Sequence, residues 1–201
     1  MGRLPTNSKE KLIQTANDLI WKSSYGSVSV DDICNVSNVK KGSFYYYFSS
    51  KAELAVVVIE TSYQHFEAEL IKVFATSTLA IDRFNNLATF VYDKQKEACD
   101  KYGHVCGCPF ASLGSEMVGN NEIIRKKIED IFHQQRNLFL LTLNEMVAIG
   151  QLPKNTNQSA MANQIHTFMM GQVMMSRIQN DLTHLKKEME AGFLRILGLD
   201  K

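Results

Sequence analysis

Apolar positions recur at helical spacing along most of the chain, and only Pro5, Pro109 and Pro153 interrupt them as prolines. That period predicts an all-α protein of about nine helices with no sheet. The sharpest local pattern runs from Ser29 to Leu54. Ser29 and Asp32 have the form of a capping box, opening a helix from Val30 to about Val36 that buries Val30, Ile33 and Cys34. Ser37-Asn38-Val39 follows, and Asn38 can take the left-handed backbone a sharp turn needs. A short second helix begins near Lys40. Ser50 with Glu53 forms another capping-box pattern, opening a long helix through Leu54, Val57 and Val58 to Phe74.

Beyond a break at Thr76-Ser77-Thr78, a helix turns Phe84, Leu87, Ala88 and Val91 inward. The glycine-rich stretch from Tyr102 to Gly119 predicts only a short, irregular helix. Asn120-Asn121 then caps a long helix through Ile124, Ile128, Ile131, Phe132, Phe139 and Leu143, ending before Gly150. A loop to Ser159 leads to two final helices, roughly 160–180 and 184–197. Their stripes are Ile165, Phe168, Met169, Gln172, Val173 and Ser176, then Leu185, Met189, Phe193, Ile196 and Leu197. Such stripes close a core or build a partner face.

Helix, tight turn, helix is the layout whose second helix can enter a DNA major groove N-terminus first. Lys40 and Lys41 stand at its leading end, where the helix dipole favours phosphate. Gly42 lets the backbone come close to a base edge or sugar. Ser43 and a tyrosine hydroxyl can donate to phosphate oxygens, and aromatic faces can meet thymine methyls. Phe44 and Phe48, four apart, share the inward face; Tyr45, Tyr46 and Lys51 face outward. A lysine pair is also a common solvated surface, so this pattern alone leaves both readings open.

Charge adds modest support. The net charge of +1 divides unevenly: residues 1–51 hold seven Lys/Arg against four carboxylates, net +3, leaving −2 for the remainder. This suits a phosphate-facing N-terminal segment on a near-neutral body.

The segment closely resembles the DNA-binding part of the TetR family of bacterial repressors. The resemblance rests on Ser29, Val30, Ile33, Val39, Lys41-Gly42, Ser43, Phe44, Tyr45, Tyr47, Phe48, Ser50, Lys51 and Leu54. Upstream, Leu12, Ile13, Ala16, Leu19, Ile20 and Tyr25-Gly26 resemble that family's first helix and its ending. Cys34 and Ser37 replace small alanines, Asn38 the turn glycine, and Lys40 stands where serine is common. The resemblance implies DNA contacts by Lys41, Gly42, Ser43, Tyr45 and Tyr46, with Lys51 as a phosphate anchor; Lys40, where the chain departs from the family, would add a base contact or simply more charge. Residues 1–52 would form the DNA-binding domain, and 53–201 a ligand-binding and dimerisation domain.

For that second domain the resemblance implies a two-fold homodimer through the last two helices. The face would carry Gln172, Val173, Ser176, Met189, Phe193, Ile196 and Leu197. Recognition helices about 34 Å apart would then read a near-palindromic operator. It also implies a pocket for a small-molecule effector among residues such as Phe66, Phe90, Cys108, Phe110, Phe139, Met169 and Met170. His133, Arg136 and His166 would orient the ligand, and Tyr63, Phe84, Phe132 and Phe168 belong to the same aromatic set. Ordinary core packing accounts for any one of these residues equally simply.

Cys34, Cys99, Cys106 and Cys108 should be reduced in a cytoplasmic protein. Cys106-Gly107-Cys108 lacks zinc-site spacing and a companion histidine pair, so no metal is expected. Gly107-Cys108-Pro109-Phe110-Ala111-Ser112-Leu113 with Glu116 resembles a sixth-helix motif of one TetR subgroup, some members of which sense electrophiles or oxidants through cysteine. A thiol at a helix start with a lowered pKa would be the physical basis.

Several classes find no support. No apolar run approaches the roughly 18 residues that span a bilayer, and Met1 to Lys11 lacks the apolar core of a signal peptide. Met1-Gly2-Arg3-Leu4-Pro5-Thr6 matches the loose myristoylation pattern, a match ascribed to chance. With no phosphate-loop glycines, His-Glu-x-x-His or triad context, neither enzyme nor cofactor is expected.

Overall fold

A computed structural model describes residues 7–200; the myristoylation-like residues lie outside them. Among the described residues there are nine helices and no strand. They are α1 (Asn7–Lys22), α2 (Val30–Ser37), α3 (Lys41–Tyr47), α4 (Lys51–Val73), α5 (Ala80–Tyr102), α6 (Pro109–Met117), α7 (Glu122–Ala148), α8 (Gln158–Gln179) and α9 (Leu185–Leu197).

The caps account for most boundaries. Ser29 Oγ accepts from the Asp32 N–H at 3.1 Å while the Asp32 carboxylate accepts from the Ser29 N–H at 2.9 Å, the reciprocal box expected. Asn38 is left-handed, φ 54° and ψ 39°, and ends α2. At α4, Ser50 Oγ accepts from the Glu53 N–H at 3.1 Å, but the Glu53 carboxylate reaches past Ser50. It accepts from both the N–H and the hydroxyl of Ser49, each at 2.7 Å, so the returning half of the box falls on Ser49. The two asparagines before α7 divide their work: Asn121 Oδ1 caps α7 through the Ile124 N–H at 3.1 Å, while Asn120 donates to Glu116 O at 2.7 Å, closing α6. Asn157, not Ser159, opens α8, accepting from the Ala160 N–H at 3.0 Å.

α6 is a regular nine-residue helix rather than an irregular one. Pro109 occupies its first position, where the missing N–H costs nothing and the fixed φ is already helical.

The chain forms two compact units: Met1–His65 with Pro109–Glu129, and Phe66–Cys108 with Asp130–Lys201. The division falls inside α4 and inside α7. In the first, α1, α2 and α3 pack around Leu12, Ala16, Val28, Ile33, Cys34, Val39, Phe44, Phe48, Leu54 and Val58. Val30, expected inside, is only partly buried at the edge of this cluster. Gly114 of α6 packs so closely on Ile128 that an added Cβ would lie 3.1 Å from its side chain. Phe110 stands edge-on to Tyr63, with ring centroids 6.0 Å apart.

In the second unit α9 packs against α5 and α8. Phe84 contacts Phe74, Phe139 and Phe193, with centroids 6.0 to 6.3 Å apart. Phe168 lies over Gly192, where a Cβ would fall 2.1 Å from the ring; only glycine lets α8 and α9 approach so closely. No helix among the described residues is long and apolar enough to cross a membrane.

Candidate DNA interface

The turn at Asn38 sets α3 so that Phe44 and Phe48 enter the first unit's core, 0% and 2% exposed. The helical period then forces their neighbours outward. Tyr45 is 52% and Tyr46 71% exposed, and Lys40, Lys41 and Gly42 are exposed beside them. Ser43 is half-buried. Tyr46 rests edge-on against the half-buried Tyr47 at 5.0 Å, and Tyr45 against Phe44 at 5.2 Å, so both exposed rings are braced.

Gly42 has no structural need to be glycine. Its φ is not positive, and a Cβ would meet nothing within 4 Å. Gly42 is the second residue of α3, where glycine is less favourable than alanine by about 0.5 kcal/mol, so the bare backbone here stabilises nothing within the chain.

Two lysines have partners that sequence spacing did not reveal. Lys41 Nζ lies 2.7 Å from Asp31 Oδ1, and this hydrogen bond holds its pKa above the ordinary lysine value. Lys51 Nζ donates to Val28 O at 2.8 Å and to Tyr25 O at 3.0 Å, and sits 4.0 Å from the Tyr25 ring centroid. Burial lowers its pKa. Lys51 therefore ties the α1–α2 loop to the start of α4, and two of its three donors are committed to that. Glu116, on α6, lies near this loop and raises the Tyr25 pKa, though less than burial does.

The residues expected around a ligand are divided between the units. Tyr63 and Phe110 belong to the first and the others to the second. Phe66 packs on Phe90 at 5.2 Å. His166 is buried between Phe132 and Phe139, with ring centroids at 5.1 and 6.2 Å. Its Nε2 is 3.1 Å from Gln135 Oε1, so with that oxygen accepting, Nε2 carries the hydrogen. Burial, helped by the Arg136 charge, lowers its pKa to about 4. Met169 is buried; Arg136 and Met170 are half-buried. His133 instead faces outward on α7, where its Nδ1 is 3.2 Å from Asn137 Nδ2 one turn on.

The Gly107-Cys108-Pro109 run has a packing explanation. Gly107 has φ +73°, and a Cβ there would sit 2.8 Å from Arg177 Cδ. Gln95 clamps the Gly107 backbone, donating to its carbonyl at 3.1 Å and accepting from its N–H at 3.0 Å. Asn180 Oδ1 accepts from the Val105 N–H at 2.9 Å. Cys106 and Cys108 are both buried within this clamped segment. Burial raises the Cys106 pKa, with the Arg177 charge opposing it more weakly. The lowered pKa expected of a sensing thiol is absent at Cys106, because desolvation disfavours a thiolate.

Five residues of the expected dimer face are already buried inside the chain: Val173, Ser176, Met189, Phe193 and Leu197. Gln172 and Ile196 are half-buried. The large apolar groups that α8 leaves exposed are Met175 and Ile178, 49% and 72%. Period alone picks the apolar stripe, and the core takes that stripe first.

Comparison with known proteins decides the family. The model of bacterial regulatory proteins of the tetR family matches residues 12–58, which contain the whole of α2, the turn and α3. The model of the tetracyclin repressor-like C-terminal domain matches residues 85–191, more than half of the chain. This chain belongs to the TetR family. Among its relatives, an HTH-type transcriptional regulator encoded in the lacX 3' region of Lactococcus lactis is 25% identical over 185 residues, covering 92% of this chain and 90% of that protein. The transcriptional regulator AcuR of Cereibacter sphaeroides is 27% identical over 157 residues, 76% of this chain and 68% of AcuR. The fold is shared with the reduced form of Escherichia coli NemR, with TM-score 0.80 at 19% identity over 96% of this chain and 98% of NemR. The TetR-family chain is thus a DNA-binding transcription regulator, with the all-helical architecture its apolar period predicted.

Proposed function

We propose that this regulator is a homodimeric repressor that grips its operator through α3 and is released by a small-molecule ligand. The observation that carries the DNA-facing assignment is Gly42. It is a glycine that the chain's own backbone and packing do not require, flanked by exposed Lys40, Lys41, Tyr45 and Tyr46. A surface approached closely by another molecule supplies the missing reason. Lys40 and Lys41 meet phosphate, Ser43 and the tyrosine hydroxyls donate to phosphate oxygens, and the ring faces meet thymine methyls. Residues 1–52 act as the DNA-binding domain, with Lys51 contributing mainly by fixing the α1–α2 loop.

Residues 53–201 hold the ligand and the dimer contact. The buried His166–Gln135 pair among Phe132, Phe139 and Met169 supplies polar selectivity within an apolar surround. The exposed Met175 and Ile178, together with the half-buried Gln172 and Ile196, carry the partner face. A ligand that favours wrongly spaced recognition helices lowers DNA affinity by its differential binding to the two states. Relatives named as negative regulators or repressors, such as the biofilm operon regulator IcaR of Staphylococcus epidermidis, favour repression over activation.

The test is operator binding by a sequence selected from a random library. Lys41→Ala and Tyr45→Ala should weaken it at least tenfold while sedimentation still shows a dimer. Wild-type affinity in both variants removes these contacts from the interface. A thiol switch at Cys106 or Cys108 is the rival mechanism, and burial of both thiols weighs against it. Operator release by mild oxidant that Cys108→Ser or Cys106→Ser abolishes would reinstate it.

A further inference from the structure

We infer that Asp31 is an intramolecular stand-in for DNA phosphate, holding Lys41 in a paired state and so lowering the affinity of the interface. The inference rests on α3 being the DNA-facing helix.

Asp31 and Asp32 are adjacent acids in the first turn of α2, and their side chains have different tasks. Asp32 is consumed by the capping box, accepting from the N–H and hydroxyl of Ser29 at 2.9 and 2.6 Å. Asp31 instead reaches across to α3, where Oδ1 lies 2.7 Å from Lys41 Nζ. Both side chains are more than half exposed, at 64% and 53%. The core does not impose this pair, and both side chains stay open to water.

The consequence follows from charge. A lysine that binds phosphate releases a condensed counterion, which gives protein–DNA affinity its salt dependence. A lysine already paired with a carboxylate must first give up that partner, and the freed carboxylate then lies beside the phosphate backbone. The lysine's contribution shrinks, and the like charges oppose binding. Lys40 has no such partner at comparable distance among the ion pairs of the described residues. The two adjacent lysines are therefore unequal: Lys40 offers a full charge, and Lys41 one attenuated by its own protein. An interface tuned this way sits closer to the threshold at which a modest allosteric shift releases it.

The experiment is a double-mutant cycle on the full chain: wild type, Asp31→Asn, Lys41→Ala and the double variant. Binding is measured by fluorescence anisotropy to a mixed-sequence duplex of about 30 base pairs, long enough for two half-sites, across a salt series. The inference expects Asp31→Asn to tighten binding about three- to tenfold for a complex with two copies of the pair. The slope of log affinity against log salt should steepen by about one for each additional phosphate neutralised. In the Lys41→Ala background the same substitution should tighten binding distinctly less, because only the repulsion between the carboxylate and phosphate is then removed. Equal tightening in that background, or none with Lys41 present, overturns the inference while leaving DNA binding by α3 intact. No binding by wild-type protein to this duplex even at low salt, or to a selected operator, overturns the DNA reading itself. Asp31→Ser serves as the second neutral variant should the asparagine alter α2, with thermal melting checking that each variant folds.

Discussion

The exposed face of α3 and the interior of the second unit both put polar and aromatic residues side by side, and they do opposite things with them. On α3, Lys40, Tyr45 and Tyr46 project into solvent, and the helix would fold as well with many other residues there. In the second unit the polar groups are sealed in and matched. Arg83 is 2% exposed and places all three of its donor groups: Nη1 and Nη2 on the Glu145 carboxylate at 2.7 and 3.0 Å, and Nε on Thr78 O at 3.0 Å. His166 has Gln135, and Gln95 has both backbone groups of Gly107. The contrast separates residues kept for an outside partner from residues kept for the fold. A side chain satisfied internally loses stability when changed; one left over loses binding.

That division breaks first, if it breaks, at Glu145. Glu145→Ala leaves the buried Arg83 guanidinium without its counter-charge and should cost about 3 kcal/mol of unfolding free energy, discounted from larger values because Glu145 is itself partly exposed. Arg83→Met removes the charge as well and should cost distinctly less. Denaturant titration checks both; equal losses would mean that the pair is not what fixes α5 to α7.

His166 sets the next largest effect. Its pKa is about 4 in the folded chain against an ordinary 6.5, so the unfolded chain binds more protons between those values. Its neutral form stabilises the fold fully above pH 6.5, and stability falls as the pH drops towards 4, by roughly 2 to 3 kcal/mol in total. A folding titration by denaturant at successive pH values measures this limb, and His166→Gln should flatten it. An unchanged limb in that variant would place the acid sensitivity elsewhere.

The smallest effect separates the two regions most cleanly. Gly42→Ala should raise stability by about 0.5 kcal/mol, since a helical alanine is favoured and its Cβ has open space. Operator affinity should nevertheless fall. A variant more stable and equally good at binding DNA would deny Gly42 its place at the groove.

The helix-turn-helix was legible because its determinants are local. Ser29 and Asp32 cap within one turn, Asn38 turns the chain within one residue, and Phe44 and Phe48 pair within one turn. Side chains that point outward need no knowledge of the rest of the molecule. Asp31 was missed because its partner is on another helix, and no spacing rule connects residues ten apart across a turn. The division of the α8 and α9 stripe was not legible for a related reason: period marks which residues are apolar, and cannot say that the chain's own core takes Val173, Ser176, Met189, Phe193 and Leu197. The direction of the Cys106 pKa was not legible because burial raises it and the Arg177 charge lowers it, and only the packed segment tells which dominates.

By itself, then, the sequence determined the helical architecture, the capped turn and the exposed basic and aromatic set on α3, because these follow from backbone preference and period over a few residues. The tertiary structure alone decided which charges are already paired, that burial keeps Cys106 and His166 neutral, and which apolar residues of α8 stay exposed. Those outcomes depend on desolvation and on distances between residues as far apart as Arg83 and Glu145, and neither quantity exists until the helices have packed.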